Sequence, residues 1–379
     1  MKVLFDHQAF SGMRYGGIAR YHFELMNYFY QNKNVDFDLA LRFSNNEYIA
    51  NASFSNHHNF AHFFSYLTTN RIISFVNRLN SARMIRESDF DLFHPTYYHK
   101  YFLQHIGNKP FVFTFHDCTN ELYHQQYPAL GGNLFELKQE LLNRASRIIA
   151  VSNFTKKEIL SYFNVAEEKI DVIYHGTSFE HCEEDITPAY KKSVAALTDV
   201  DYLLFVGNRA DFKNFDKYIQ AIQPIFVKFP EVRLVCAGGK TFNNFEKELL
   251  NKLGISNRII HVNILSDFHL KSLYTNALAF VFPSIIEGFG IPILEAFASN
   301  CPVLLSNTSC FPEIAEDAGS YFDPFDAESM LNKTIEILEN QQLRTTLIQK
   351  GKERLKDFSL EKTATQTQKT YQLALSQYV

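Results

Sequence analysis

The chain has 379 residues, of which 46% are hydrophobic and 21% charged, and its formal net charge is −4. That length exceeds one ordinary core, so two domains are expected, and the composition excludes a disordered chain. No overall positive field favours nucleic acid.

Five scattered cysteines, with no C-x-x-C, imply free thiols in a reducing compartment rather than a zinc site. The start, MKVLFDHQ, has too short an apolar run for a signal peptide, and no stretch approaches the roughly 20 apolar residues of a spanning helix. A cytoplasmic protein is expected.

Strand-like runs alternate with amphipathic ones, the pattern of a parallel α/β sheet. Lys2 to Phe5 reads as a strand, followed by a loop to Gly17 and a helix over 18–29. Further strands are expected at 92–93, 111–115, 147–151 and 170–174, with a helix over 153–163. Residues 177–198 are polar and weakly periodic and read as a linker. A second series of strands follows at 202–206, 233–236, 259–261, 278–282 and 303–305, and residues 360–376 read as a closing helix.

Three glycine or charge motifs sit at strand ends, where ligands bind in such sheets. After the first strand, Gly16 and Gly17 lead into a helix whose free N–H groups can meet an anion; Arg14 precedes them. After the strand at 202–206, a loop carries Arg209 and Lys213, two cations suited to a diphosphate. After the strand at 278–282 comes Glu287-Gly288-Phe289-Gly290, then Pro292 and Glu295. The spacing predicts Glu287 in the loop and Glu295 in the first helical turn. Phosphates held by amides, with two carboxylates placed for hydroxyls, fit a nucleotide-diphosphate sugar. The strand at 111–115 ends in His116-Asp117, where the imidazole can donate to a sugar hydroxyl and Asp117 can orient it or face an acceptor. His7 reads as a neighbour of the same crevice, and His94 and His175 read as structural. Each motif has a plainer counterpart: a tight turn, two solvated cations, glutamates favouring a helix N-terminus, a packed histidine.

The EGFG-x-P-x-x-E run, with the motifs near residues 16, 116 and 209, resembles the retaining glycosyltransferases of family 4. The resemblance implies the GT-B fold, two Rossmann-like parallel-sheet domains facing each other across a cleft. The boundaries expected are 1–187, with the helix 360–379 packing back on it, and 188–359. It implies that Glu287 lies by the donor sugar and Glu295 by the ribose. The Gly288–Phe289–Gly290 segment, Arg209 and Lys213 would hold the diphosphate, with the Gly16–Gly17 loop packing beneath. Retention implies attack by the acceptor hydroxyl on the face the diphosphate leaves, with Glu287, His116, Arg209 and Lys213 as the catalytic set. Arg14, His116 and Asp117 are the acceptor-side residues. No cofactor or metal is called for, since two cations replace one and no Asp-x-Asp stands where metal-dependent transferases carry it. YGGIARY and VGNRADFKNF look like bacterial enzymes of surface-polysaccharide assembly, several of which use GDP-mannose, acting on glycan or lipid-linked acceptors. The alternatives are a nucleotide-sugar 2-epimerase of the same architecture and a non-catalytic sugar-nucleotide-binding subunit.

Residues 48–86 contain no acid and four arginines, Arg71, Arg78, Arg83 and Arg86, among several Phe. Such a segment can rest on an anionic membrane face, or be a helix pair with a solvated basic side.

Overall fold

The computed structural model describes all residues except 13, 51, 60–65, 127–133, 183, 185, 378 and 379. It divides into two compact units: Met1–Glu121, Asn133–Gly176 and Leu360–Val379 form the first, and Leu122–Gly132 with Thr177–Ser359 the second.

The first unit carries β1 (Lys2–Phe5), β2 (Asp36–Leu39), β3 (Phe43–Ser44), β4 (His58–Asn59), β5 (Leu92–His94), β6 (Val112–Phe115), β7 (Arg147–Ala150) and β8 (Ile170–Val172). Two parallel sheets, β2-β1-β5 and β6-β7-β8, are joined by a parallel bridge between Phe93 and Phe111. The strand runs VLF, LFH, VFTF and RIIA are buried throughout, as expected of a parallel sheet covered on both faces. A short helix α1 (Gln8–Ser11) and the longer α2 (Gly17–Asn32) follow β1, and α3 (Tyr66–Glu87) precedes β5. The helix Leu360–Ser376 closes this unit. Its Tyr371 hydroxyl lies 2.6 Å from His94 Nδ1, and Thr370 Oγ1 donates to Asp171 Oδ2 at 2.9 Å.

The second unit carries β9 (Tyr202–Val206), β10 (Arg233–Ala237), β11 (Ile259–Val262), β12 (Ala279–Phe282), β13 (Val303–Ser306) and β14 (Gly319–Phe322). They form one parallel sheet in the order β11-β10-β9-β12-β13-β14. The chain winds one way from β9 to β11 and the other way from β12 to β14. The strand order therefore reverses between β9 and β12, the place at whose carboxyl ends sheets of this kind bind ligands.

Several elements depart from the sequence expectation. The first unit ends at Gly176, not 187. The supposed linker contains a 3₁₀ turn, Phe179–His181, and a helix, Pro188–Ala195, capped by Thr187. Strands β2 and β14 are edge strands of sequence DFDL and GSYF; their acids, glycine and serine read as breakers. Among the described residues of 48–86 there is one helix, the 22-residue α3, where a helix pair was expected. Cys118, Cys236, Cys301 and Cys310 are buried and form no disulfide.

Candidate active site

The loops leaving β9 and β12 meet at the switch point of the second sheet. Gly207 ends β9, and a 3₁₀ turn, Asp211–Lys213, feeds the helix Phe215–Ala221. The backbone N–H of Ile285, in the loop after β12, donates to Phe212 O at 2.9 Å and ties the two loops together. Gly290, at φ 87°, is the N-cap of the helix Ile291–Ala298. A Cβ there would lie 3.2 Å from both Ile293 Cδ1 and Phe311 Cε1, so the left-handed turn and the packing both call for glycine. Pro292 sits in the first turn, where its missing N–H costs no bond, and Asn300, at φ 55°, follows the end of the helix.

Lys213 and Glu287, 74 residues apart in sequence, are brought into contact: Nζ lies 2.5 Å from Oε1, each side chain 17% exposed. The ammonium also sits 5.3 Å from the ring centres of Phe212 and Phe282. A cation this lightly solvated, beside a carboxylate, can exchange that carboxylate for a phosphate oxygen. Glu295 is buried, and one of its oxygens accepts from the Tyr274 hydroxyl at 3.0 Å. It stands in the second turn of its helix, one residue past the expected first turn, because Ile291 and not Pro292 begins the helix. Phe289 is buried edge-on to Phe358, which anchors the glycine loop.

Arg209 is not the loosely held loop cation its sequence position implies. Its side chain is 4% exposed, bonded from Nε to Glu246 Oε1 at 2.6 Å and from Nη2 to Lys240 O at 2.6 Å. Phe242 and Phe215 flank the guanidinium. Nη1 alone has no partner among the described residues. Beside it, burial followed by the charge of Glu246 raises the Asp216 carboxyl to about 6. Arg209 is thus a buried, ion-paired post with its Nη1 group to offer, whereas the Lys213 ammonium bonds the Glu287 carboxylate. The sequence reading missed Glu246 and Gly239. The Asn243-x-x-Glu246 capping box was legible. So was the Gly238-Gly239 pair after β10: a Cβ on Gly239, at φ 65°, would lie 2.9 Å from Gly207 O.

In the first unit, Gly16 is the N-cap of α2 and Gly17 its first residue. Arg14 forms an exposed pair with Glu47, Nε to Oε1 at 2.5 Å. His116 is buried, its Nε2 without a partner among the described residues, and ringed by Tyr21, His22, Tyr98 and His175. Burial pushes it down to about 4, against the pull of Asp117 and with the push of Lys138, so it is neutral at pH 7. Asp117 does not orient that imidazole. Its Oδ1 accepts from Thr119 N–H at 2.9 Å, and its carbonyl from Lys138 Nζ at 2.8 Å. His94, set aside as structural, bridges the Tyr371 hydroxyl and Thr114 Oγ1.

Two Rossmann-like parallel-sheet units, the second with its glycine loop and acid–base pair at the switch point, define the GT-B class of glycosyltransferases. Residues 187–354 match the family described as "Glycosyl transferases group 1" and residues 15–181 match "Glycosyltransferase Family 4". The chain belongs to this family of glycosyltransferases. It is 29% identical to O-antigen chain mannosyltransferase B of Escherichia coli, over 69% of this chain and 70% of that one. It is 30% identical to O-antigen chain mannosyltransferase RfbU of Salmonella typhimurium, over 57% of each. Among solved structures, Anabaena HepE in complex with UDP and glucose superposes with a TM-score of 0.75 at 18% identity, covering 98% of this chain and 99% of that chain.

Proposed function

We propose that the chain is a retaining, metal-independent transferase that moves a sugar from a nucleotide-diphosphate donor to a glycan or lipid-linked acceptor in bacterial surface-polysaccharide synthesis. The observation that carries the donor half is the Lys213–Glu287 contact beside the Gly290 helix N-terminus, at the sheet's switch point. Lys213, Arg209 Nη1 and the backbone amides of the Gly288–Gly290 loop receive the diphosphate. As Lys213 turns to phosphate, Glu287 is released toward the sugar. Glu295, held by Tyr274, accepts from the ribose hydroxyls. Charge that builds on the departing diphosphate is met by fixed cations and amides. No protein nucleophile is assigned: the acceptor hydroxyl attacks from the face the diphosphate leaves, and a departing phosphate oxygen takes its proton. The O-antigen relatives support a surface-polysaccharide acceptor and GDP-mannose as a donor to try first.

The test is a panel of UDP- and GDP-sugars, with product anomers read by NMR, in the presence and absence of EDTA. The reading predicts product of the donor's own anomeric configuration and unchanged turnover in EDTA. For Glu287→Gln it predicts a lowered kcat with a nearly unchanged donor KM. Inverted product, loss of activity restored by magnesium, or full activity in the variant contradicts the corresponding part.

A peripheral membrane contact is proposed for α3. Ile72, Phe75 and Leu79, at one-face spacing, are 47%, 59% and 57% exposed, and Arg83 and Arg86 continue the same stripe. Apolar groups with adjacent arginines suit an anionic lipid surface. Among the described residues no helix is long and apolar enough to cross a membrane. Salt-sensitive co-sedimentation with anionic vesicles, lost in Phe75→Ser/Leu79→Ser, is the expected result; equal pelleting of the variant contradicts it.

A further inference from the structure

The first unit has its own switch point. β2 lies on one side of β1 and β5 on the other, so the chain leaves β1 and β5 at a place where the winding reverses. At that carboxyl edge lies a cavity of about 310 Å³, the small end of the range for ligand sites. Its walls come from the turn after β1 (His7 to Gly12), the turn after β5 (Tyr97, His99, Tyr101) and one flank of α3 (Ser74, Arg78). The turns are fixed to each other. Asp6, fully buried, accepts from Thr96 N–H at 2.8 Å and Tyr101 OH at 3.0 Å, and Thr96 Oγ1 receives Ala9 N–H at 3.0 Å.

Arg78 and His99 present N–H groups on these walls. Arg78 makes no ion pair among the described residues, and its Nε is buried without a partner. His7 is 4% exposed; its Nδ1 lies 2.8 Å from Ser11 Oγ, whose own proton goes to His7 O at 3.0 Å, so the neutral ring carries its proton on Nδ1 and leaves Nε2 a buried lone pair without a partner. His99 accepts Tyr101 N–H at Nδ1, 3.1 Å, which as a neutral ring leaves its proton on Nε2. No carboxylate lines the cavity. Leaving a buried N–H unbonded is costly, on the order of 1–3 kcal/mol, so Arg78 Nε calls for an acceptor in this cavity.

We propose that this cavity is a phosphoryl-binding subsite, in which the Arg78 guanidinium and the His99 Nε2–H donate to the oxygens of a phosphate monoester or diphosphate and His7 Nε2 accepts from the hydroxyl of a singly protonated phosphoryl group. It stands apart from the donor reading, because all lining residues belong to the first unit and Lys213 and Glu287 to the second. An ester on a lipid and an ester on a small soluble molecule present the same oxygens. Ile18 and Ala9 give the cavity an apolar wall beside them.

The experiment is calorimetric titration of the full chain with inorganic phosphate, pyrophosphate and farnesyl phosphate. Wild type, Arg78→Gln, His99→Gln and Lys213→Ala are compared, with circular dichroism confirming that each is folded. Saturable binding should weaken about ten- to a hundredfold in Arg78→Gln, the loss of one charge-assisted hydrogen bond, and persist in Lys213→Ala. A second readout on wild type is the His7 ring resonance, which should shift as phosphate saturates. Tighter binding of farnesyl phosphate than of phosphate would assign a lipid source, and equal binding a soluble one. The proposal is overturned if no probe binds at millimolar concentration, if Arg78→Gln binds as well as wild type, or if Lys213→Ala alone abolishes binding. Loss of the UDP or GDP site would instead show in Lys213→Ala with Arg78→Gln unaffected, which separates the two readings.

Discussion

The carboxyl edges of the two sheets are furnished differently. Behind the first, His22, His94, His116 and His175 are packed against Tyr21 and Tyr371, neutral and buried. At the second, opposite charges touch: Lys213 on Glu287, Arg209 on Glu246. A close ion pair stores an alternative arrangement, because a polyanion can take the cation and free the carboxylate. A cluster of neutral imidazoles holds shape and offers directional bonds without committing charge. The first unit is not without charge, since Lys138 and Glu121 pair at 2.9 Å beside Asp117 and Arg78 lines its cavity, so the contrast lies between the imidazole cluster and the Lys213–Glu287 pair and not between the whole units.

The largest effect expected from breaking this contrast is at Lys213. Its replacement by Ala should lower kcat/KM by about 2–4 kcal/mol, the usual loss of one buried donor to a developing anion. A steady-state comparison over a donor range measures it, and a loss under threefold would place the charge handling elsewhere.

Gly290→Ala comes next. A φ of 87° with two side-chain atoms at 3.2 Å should cost about 1–3 kcal/mol of stability. Denaturant unfolding checks this, and unchanged stability would mean the glycine loop is not constrained as described.

Acid should act on the first unit. Burial lowers His94 to about 3 and His116 to about 4, from an ordinary 6.5. Below pH 6.5 the unfolded chain therefore binds more protons than the folded one. Each imidazole then subtracts stability as pH falls, about 1.4 kcal/mol per pH unit, until its folded value is reached. The stability conferred is complete above pH 6.5. Unfolding followed between pH 7 and 5 should show it, with Tyr371→Phe reducing the slope if His94 is a main contributor. A flat profile would contradict the neutral cluster. The smallest effect is at Arg14: its exposed pair with Glu47 should be worth no more than about 1 kcal/mol, so Arg14→Gln should barely move the melting curve.

Much of this was legible in the chain because parallel strands buried on both faces announce themselves as unbroken apolar runs. The runs 202–206, 233–236 and 278–282 were placed within a residue or so for that reason. Of the edge strands, β8 and β11 were legible as apolar runs, but β2 and β14 were not, since Asp36, Asp38, Gly319 and Ser320 look like turn residues unless the neighbouring strand is known. At the site, the glycine–proline grammar around Gly290 was readable, but which carboxylate meets which cation was not. Lys213 and Glu287 are joined by the strand order, and Arg209 by a helix cap 37 residues on. The cavity at the first switch point was invisible for the same reason: His7, Arg78 and His99 come from three elements that only the fold assembles.

The central claim, that the second unit's pair is the diphosphate grip, is tested most directly by equilibrium binding. Titration calorimetry of wild type and Lys213→Ala with UDP and with GDP should show one of the two nucleotides bound by wild type and its affinity reduced about a hundredfold in the variant, the loss of a charge-assisted contact of roughly 3 kcal/mol. Equal affinity in the two proteins would contradict the account.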